Sequence, residues 1–163
     1  MNEILSNYEK YIQSEELDYQ WSDDKESILL DYTGRNGTYR IIASELTRLN
    51  VFLIYTSCPV LVPDDKINEI SEFINRANFK RLTGKFEFDF DNGKILYCAA
   101  LDFENITSYD NNIFKGLFIA SIAAMDKYLP GILGVLFGNK KPKDAIEEIE
   151  NRKKKVVNNF SLN

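Results

Sequence analysis

The feature that most constrains this chain is the stretch at residues 84–91, where Phe86, Phe88 and Phe90 alternate strictly with Glu87, Asp89 and Asp91 before running into Asn92-Gly93. A period of two belongs to a strand with one buried face, and Asn-Gly between apolar runs is the strongest short-range hairpin signal. A two-residue turn there sets Phe90 opposite Ile95, Phe88 opposite Tyr97 and Phe86 opposite Ala99. One face of the pair is then aromatic and the other carries Lys85, Glu87 and Asp89, so helices must cover the aromatic side. Asn36-Gly37, between apolar runs at 28–34 and 38–46, predicts a second hairpin with Tyr32 opposite Ile41 and Leu30 opposite Ala43. A third run at 51–60, rich in β-branched and aromatic residues, continues the meander.

Helical spacing fills the rest. Ile4, Leu5, Tyr8, Tyr11 and Ile12 form an apolar stripe over residues 2–14. Pro63 opens a helix over 63–78, with Asp64 and Asp65 at its positive end and Ile67, Ile70, Phe73, Ile74 and Ala77 on one face. A third helix, beginning near Asp110 and reaching Tyr128, is apolar nearly all round between Gly116 and Met125 and must be buried on more than one side. Pro130-Gly131 is expected to kink or restart the chain. Residues 132–137 read as a short apolar turn and 138–141 as a polar break. Pro142 opens a charged helix with Ile146 and Ile149 on one face and with Glu148–Arg152 and Glu150–Lys154 spaced to pair. Residues 158–163 are expected to fray.

Charge and residue usage exclude several classes of function. The 163 residues carry 20 Lys+Arg against 25 Asp+Glu, a net charge of −5 that opposes a phosphate backbone, so nucleic acid is not expected as a partner. There is no His, which removes Ser-His-Asp and Cys-His catalysis and the commonest zinc ligand. Cys58 and Cys98 are not in a CxxC spacing and read as free buried thiols in a reducing cytoplasm. The N-terminus shows no basic region, apolar run or cleavage site of a signal peptide. The longest nearly uncharged stretch, 116–125, is shorter than the roughly 20 residues a membrane span needs. Export and membrane insertion are not expected, and the cytoplasm is the expected location.

Each candidate for chemistry has a plainer explanation. The acidic pairs Asp89/Asp91, Asp64/Asp65 and Asp102/Glu104 supply oxygens of the kind Ca²⁺ or Mg²⁺ takes. Asp91 more simply pairs across its turn with Lys94, and Asp64 and Asp65 answer a helix dipole. No sugar cleft accompanies a possible carboxylate dyad. Cys58 before Pro59 has only Lys66 nearby to activate it. The run Arg152-Lys153-Lys154-Lys155 suits an acidic partner or lipid headgroups, but at the negative end of its helix it needs neither. Gly131, Gly134 and Gly138 follow a helix rather than a strand and make no phosphate loop. No cofactor, metal or catalytic residue is assigned.

Several segments together resemble a known family: Tyr55-Thr56-Ser57-Cys58-Pro59, Val62-Pro63, Phe73-Ile74-Asn75-Arg76-Ala77-Asn78, Gly84-Lys85-Phe86-Glu87-Phe88-Asp89, Asp91-Asn92-Gly93-Lys94-Ile95, the apolar helix from Leu117 to Met125 and Tyr128-Leu129-Pro130-Gly131-Ile132. They are similar to the YbjN-like family, bacterial proteins described as sensory transduction regulators. The resemblance spans roughly Trp21 to Ile149. It implies an α+β sandwich similar to type III secretion chaperones, which work by binding other proteins, and it brings no catalytic residue.

The expectation is one domain over 1–163, with 142–163 a charged helix and tail. Its α+β fold is an antiparallel sheet of about five strands, type III secretion chaperone-like, its aromatic face packed by the helices at 63–78 and 112–128. The expected function is a non-enzymatic protein-interaction module, chaperone-like or regulatory. The alternative is a small-molecule binder or hydrolase with a pocket between the sheet and residues 132–137. Leu117, Ala120, Ala124 and Tyr128 are expected to face the sheet, which leaves Phe118, Ile122 and Met125 as a second stripe. That stripe is covered either by residues 132–137 with Ile146 and Ile149, or by a second copy in a homodimer, with Ala123 allowing close approach.

Overall fold

A computed structural model describes residues 3–104 and 110–160 and, in the last helix, the side chains up to residue 151. The side chains of the cationic run at 152–155, and with them its two expected pairs, and residues 161–163 lie outside what the structure describes. Strands β1 (Gln20–Trp21), β2 (Ser27–Thr33), β3 (Thr38–Leu46), β4 (Val51–Ser57), β5 (Lys85–Asp89) and β6 (Lys94–Asp102) form one antiparallel sheet in the order β1-β2-β3-β4-β6-β5. The strand beyond the expected five is β1, a two-residue edge element pairing Gln20 with Leu29.

Helix α1 (Glu3–Ser14) buries the stripe its spacing predicts, and α2 (Ile67–Asn78) buries Ile70, Phe73, Ile74 and Ala77. Pro63 does not begin α2 itself; it precedes a 3₁₀ turn at Asp64–Lys66 that leads into it. Helix α3 (Asn111–Phe137) starts where the Asp110 carboxylate accepts the Asn112 N–H at 2.9 Å, the usual way an Asp cap satisfies an orphan donor. α1, α2 and α3 pack on the sheet face that carries Ile28, Ile41, Ile54, Tyr97 and Phe86, while α4 (Pro142–Phe160) lies on α2 and α3. Among the described residues of α4, Pro142, Ala145, Ile146 and Ile149 are buried.

Both hairpins form, each two residues out of the predicted register. Leu30 faces Ile41 and Tyr32 faces Tyr39, and in the other pair Phe88 faces Ile95 and Phe86 faces Tyr97. The connections have four residues, since Thr33 pairs with Thr38 and Asp89 with Lys94. A type I′ turn needs positive φ at both central residues, and neither Asn36 nor Gly37 has it. In the second loop the Asp89 carboxylate accepts the N–H groups of Asp91 and Asn92 at 3.0 and 3.2 Å, and only Gly93 is left-handed. A slip of two keeps every side chain on its predicted face; Phe90 leaves the strand and is 59% exposed.

Pro130 does not break α3, which continues through it to Phe137. Proline has no N–H to give the carbonyl four residues earlier, and that carbonyl, on Asp126, is taken by the Asn36 side-chain amide at 2.8 Å. The Asp126 carboxylate in turn accepts the Asn36 N–H and the Tyr39 hydroxyl, each at 2.7 Å. This knot ties the β2–β3 loop to the middle of α3. By length and composition alone the unbroken α3 could cross a membrane, which the 116–125 stretch did not suggest, but 56% of its apolar window is buried inside the protein.

Of the residues of α3 expected to face the sheet, Ala124 and Tyr128 are buried and Leu117 half-buried while Ala120 is exposed, and the stripe expected to be left over is buried too. Phe118, Ile122 and Met125 are 4%, 7% and 0% exposed and belong to the core, whereas Ala120 and Ala123 are exposed. Phe118 meets the rings of Tyr11 and Tyr32 edge-on at 6.2 and 5.5 Å, so α1 and the sheet cover it. Between them, Ser121 accepts a buried hydrogen bond from Thr56 of β4 at 3.0 Å. The three residues are not an open interface, and Ile122→Glu would damage the core of a single chain. The cause is the all-round apolarity of the helix, which gives no moment to fix its rotation.

Candidate functional site

The segment between α2 and β5 is fixed at both ends. The Asn78 side chain donates to the Phe86 carbonyl at 2.9 Å and accepts the Phe86 N–H at 2.8 Å, joining the helix end to the strand. Lys80 and Gly84 are left-handed, with φ of 61° and 62°. At Gly84 a Cβ would lie 2.5 Å from the Tyr97 hydroxyl and 2.8 Å from the Cys98 carbonyl, so only glycine lets the loop pass so close to β6. Held this way, the loop projects Phe79 and Leu82 outward, 75% and 96% exposed.

Arg81, between them, turns inward. Its Nε donates to the Ala77 carbonyl at 3.4 Å and its Nη1 to the Tyr97 hydroxyl at 3.3 Å. Its guanidinium carbon stands 5.1, 5.3 and 5.4 Å from the ring centres of Tyr128, Tyr97 and Phe86, the geometry of cation–π contact. Phe86 and Tyr128 also meet each other edge-on at 5.4 Å, so the rings form a continuous wall.

Above Arg81 opens a cleft of about 880 Å³ between α2, the loop, Tyr128 of α3 and the α4 residues Lys143, Ile146, Glu147 and Glu150. Most of its charges are answered locally: Arg76 pairs with Glu72 at 2.6 Å and Lys143 with Glu147 at 3.8 Å. Arg81 has no carboxylate within 4 Å among the described residues, and neither has Lys127 of α3, which is not part of the cleft lining. The Lys127 ammonium lies 4.7 Å from the Tyr128 ring centre. Burial, and then the charge of Arg81, hold its pKa below the ordinary lysine value, with Glu150 opposing.

The residues singled out from sequence are placed elsewhere. Cys58 and Cys98 are both free. Burial pushes the Cys58 thiol up to about 11 and also raises Cys98, so neither is an activated nucleophile. Asp89 is occupied by the backbone of its own turn. Among the described residues no three His, Cys, Asp or Glu side chains gather as a metal site would require. In residues 132–137, beside which the alternative reading put a pocket, Ile132, Val135 and Leu136 are packed in the core at 0%, 1% and 5% exposure.

Arg81 was not singled out from sequence. One cation between Lys80 and Leu82 gives no periodic signal, and the rings that define its setting come from α3, β5 and β6. The exposed pair Phe79 and Leu82 around it is the nearest thing to a clue.

The fold is similar to the crystal structure of YbjN from E. coli, described there as "a putative transcription regulator", with a TM-score of 0.57 and 14% sequence identity over 75% of this chain and 85% of that one. At this identity the likeness shows the fold alone. No curated protein gives a match. Residues 8–128 match the YbjN family, described as "Putative bacterial sensory transduction regulator". That match runs from the second turn of α1 through every strand to Tyr128, the ring beneath Arg81, and on it this chain belongs to the YbjN family.

Proposed function

We propose that the protein is a regulatory module that acts by binding another protein, without chemistry of its own, and that it makes this contact at loop 79–84 and the adjoining cleft. The observation that carries the reading is the pair Phe79 and Leu82, 75% and 96% exposed on a loop fixed at both ends. Apolar side chains held out on a rigid element lose little freedom on association, and an aromatic anchor beside a concave surface is a common hot spot. The description of the family as sensory transduction regulators supports the regulatory part. The lack of histidine and the raised thiols support a role without catalysis. A net charge of −5 favours a protein over a nucleic acid as partner, in the bacterial cytoplasm.

A tagged wild-type protein and a Phe79→Ser, Leu82→Ser double variant are compared by affinity capture from the native cell with quantitative mass spectrometry. The expected result is a stoichiometric partner that the variant loses about tenfold while its circular dichroism and Tm are unchanged, since both side chains are exposed. If the folded variant captures the same proteins in the same amounts, the loop is not the contact and the reading fails.

A further inference from the structure

We propose that the sheet face turned away from the helices is the interface of a two-fold homodimer, in which a second copy of this chain covers it. A sheet with one solvated face normally alternates apolar residues inward with polar residues outward. Here the outward positions of the central strands are apolar as well. Leu29 of β2, Ile42 of β3, Tyr55 of β4 and Cys98 of β6 are direct cross-strand neighbours and form one row across the sheet. Leu53 flanks that row on one side and Leu96 on the other. None of these residues belongs to the core that the helices close. A continuous apolar patch of this kind marks a contact surface rather than a solvated one.

Charge and area select a second copy as the occupant. The charges that border the patch on β2, β3 and β5 are already paired within the chain, Arg40 with Asp31 and Lys85 with Glu87. Cations and carboxylates balance there, which gives no pull toward an anionic bilayer or a strongly charged protein, and a second copy meets no unpaired charge at this border. A two-fold axis along the strands, between Ile42 and Tyr55, lays the row back on itself in reverse, apolar against apolar throughout. This is the isologous contact of the commonest oligomer, and two sheets stack in this way about 10 Å apart. The face spans the five strands from β2 to β5 in the sheet order, and β2 and β4 are each seven residues long. At about 4.8 Å per strand and about 3.3 Å per residue its projection is roughly 550 Å². Side-chain relief makes the accessible surface larger, toward the roughly 800 Å² that each partner buries in a standard interface.

The interface stands independently of the reading of loop 79–84, because its test needs only the purified chain. Sedimentation velocity and light scattering follow the full-length protein from about 1 to 100 µM, and a dimer with a Kd in the micromolar range or tighter is expected. Ile42→Lys keeps an aliphatic stem on the sheet of the single chain and sets a charge near the axis in both copies. It is expected to fold, by circular dichroism, and to weaken association about fiftyfold or more. Leu96→Lys, whose cross-strand neighbour is Glu87, is expected to do the same and decides the matter if Ile42→Lys does not fold. Ile119→Lys, on the outer side of α3 at 52% exposure, is expected to leave the dimer intact. A wild-type protein that is monomeric at about 100 µM overturns the proposal. So does a folded Ile42→Lys or Leu96→Lys protein that dimerises like wild type, or a dimer that Ile119→Lys dissociates.

Discussion

The passage of α3 through Pro130 rests on a side chain ninety residues away, and a double-mutant cycle measures that dependence. In the wild type the Asn36 amide donates to the Asp126 carbonyl at 2.8 Å, the group that lacks a helical donor because residue 130 is proline. Asn36→Ala removes this bond. Because Asn36 is exposed, water replaces part of it, and the expected cost is about 1 kcal/mol. The backbone N–H of residue 36 still reaches the Asp126 carboxylate, so the loop keeps its place. Pro130→Ala restores an N–H at position 130, and the helix can then satisfy the carbonyl itself. In that background Asn36→Ala is expected to cost no more than about 0.3 kcal/mol, a coupling of roughly 0.7 kcal/mol between side chains that do not share a helix. Pro130→Ala by itself is expected to be neutral or stabilising, since proline is the poorest residue in a helix interior. Urea unfolding followed by Trp21 fluorescence and circular dichroism supplies the four free energies. An equal cost of Asn36→Ala in both backgrounds would refute the reasoning.

The hairpin register predicts that Phe86→Ala, which strips a 3%-exposed ring from Tyr97 and Tyr128, costs about 3–5 kcal/mol, and that Phe88→Ala, half-buried beside Phe90, costs about 1–2 kcal/mol; urea unfolding that ranks them the other way would contradict it. Gly131→Ala places a Cβ 2.5 Å from Ile149 and 3.0 Å from Phe73, overpacking α3 against α4 and α2 by about 1–3 kcal/mol, which a Tm drop of several degrees reports. Cys58, with its thiol raised to about 11, is thiolate in only about one molecule in ten thousand at pH 7. Its alkylation by iodoacetamide is expected to be slow at pH 7 and to rise tenfold per pH unit toward 11, and fast alkylation at pH 6 would sink the assignment.

What the sequence discloses is set by the distance over which each signal acts. Face assignments in the strands were legible because alternation is local and survives a slip of two residues. Partner residues were not, because Asn36 answers to Asp126 and the Asp89 carboxylate sets the second loop by its own hydrogen bonds. The amphipathic stripes of α1 and α2 fixed their buried residues, while α3, apolar all round, left its rotation open and put Phe118, Ile122 and Met125 on the wrong side. Strand β1 is too short, at two residues, to show a period. The cleft was illegible for another reason: Arg81, Tyr97 and Tyr128 acquire a joint meaning only after the loop following α2 meets α3 and β6.

The central claim is that loop 79–84 and its cleft are the working surface of this protein. Hydrogen exchange on the full-length chain, alone and saturated with the partner obtained by differential capture, tests it most directly. The account predicts new protection at residues 76–84 and 143–150 and little change on the opposite sheet face around Ile42, Tyr55 and Leu96. Protection confined to that sheet face, with the loop exchanging as in the free protein, would contradict it.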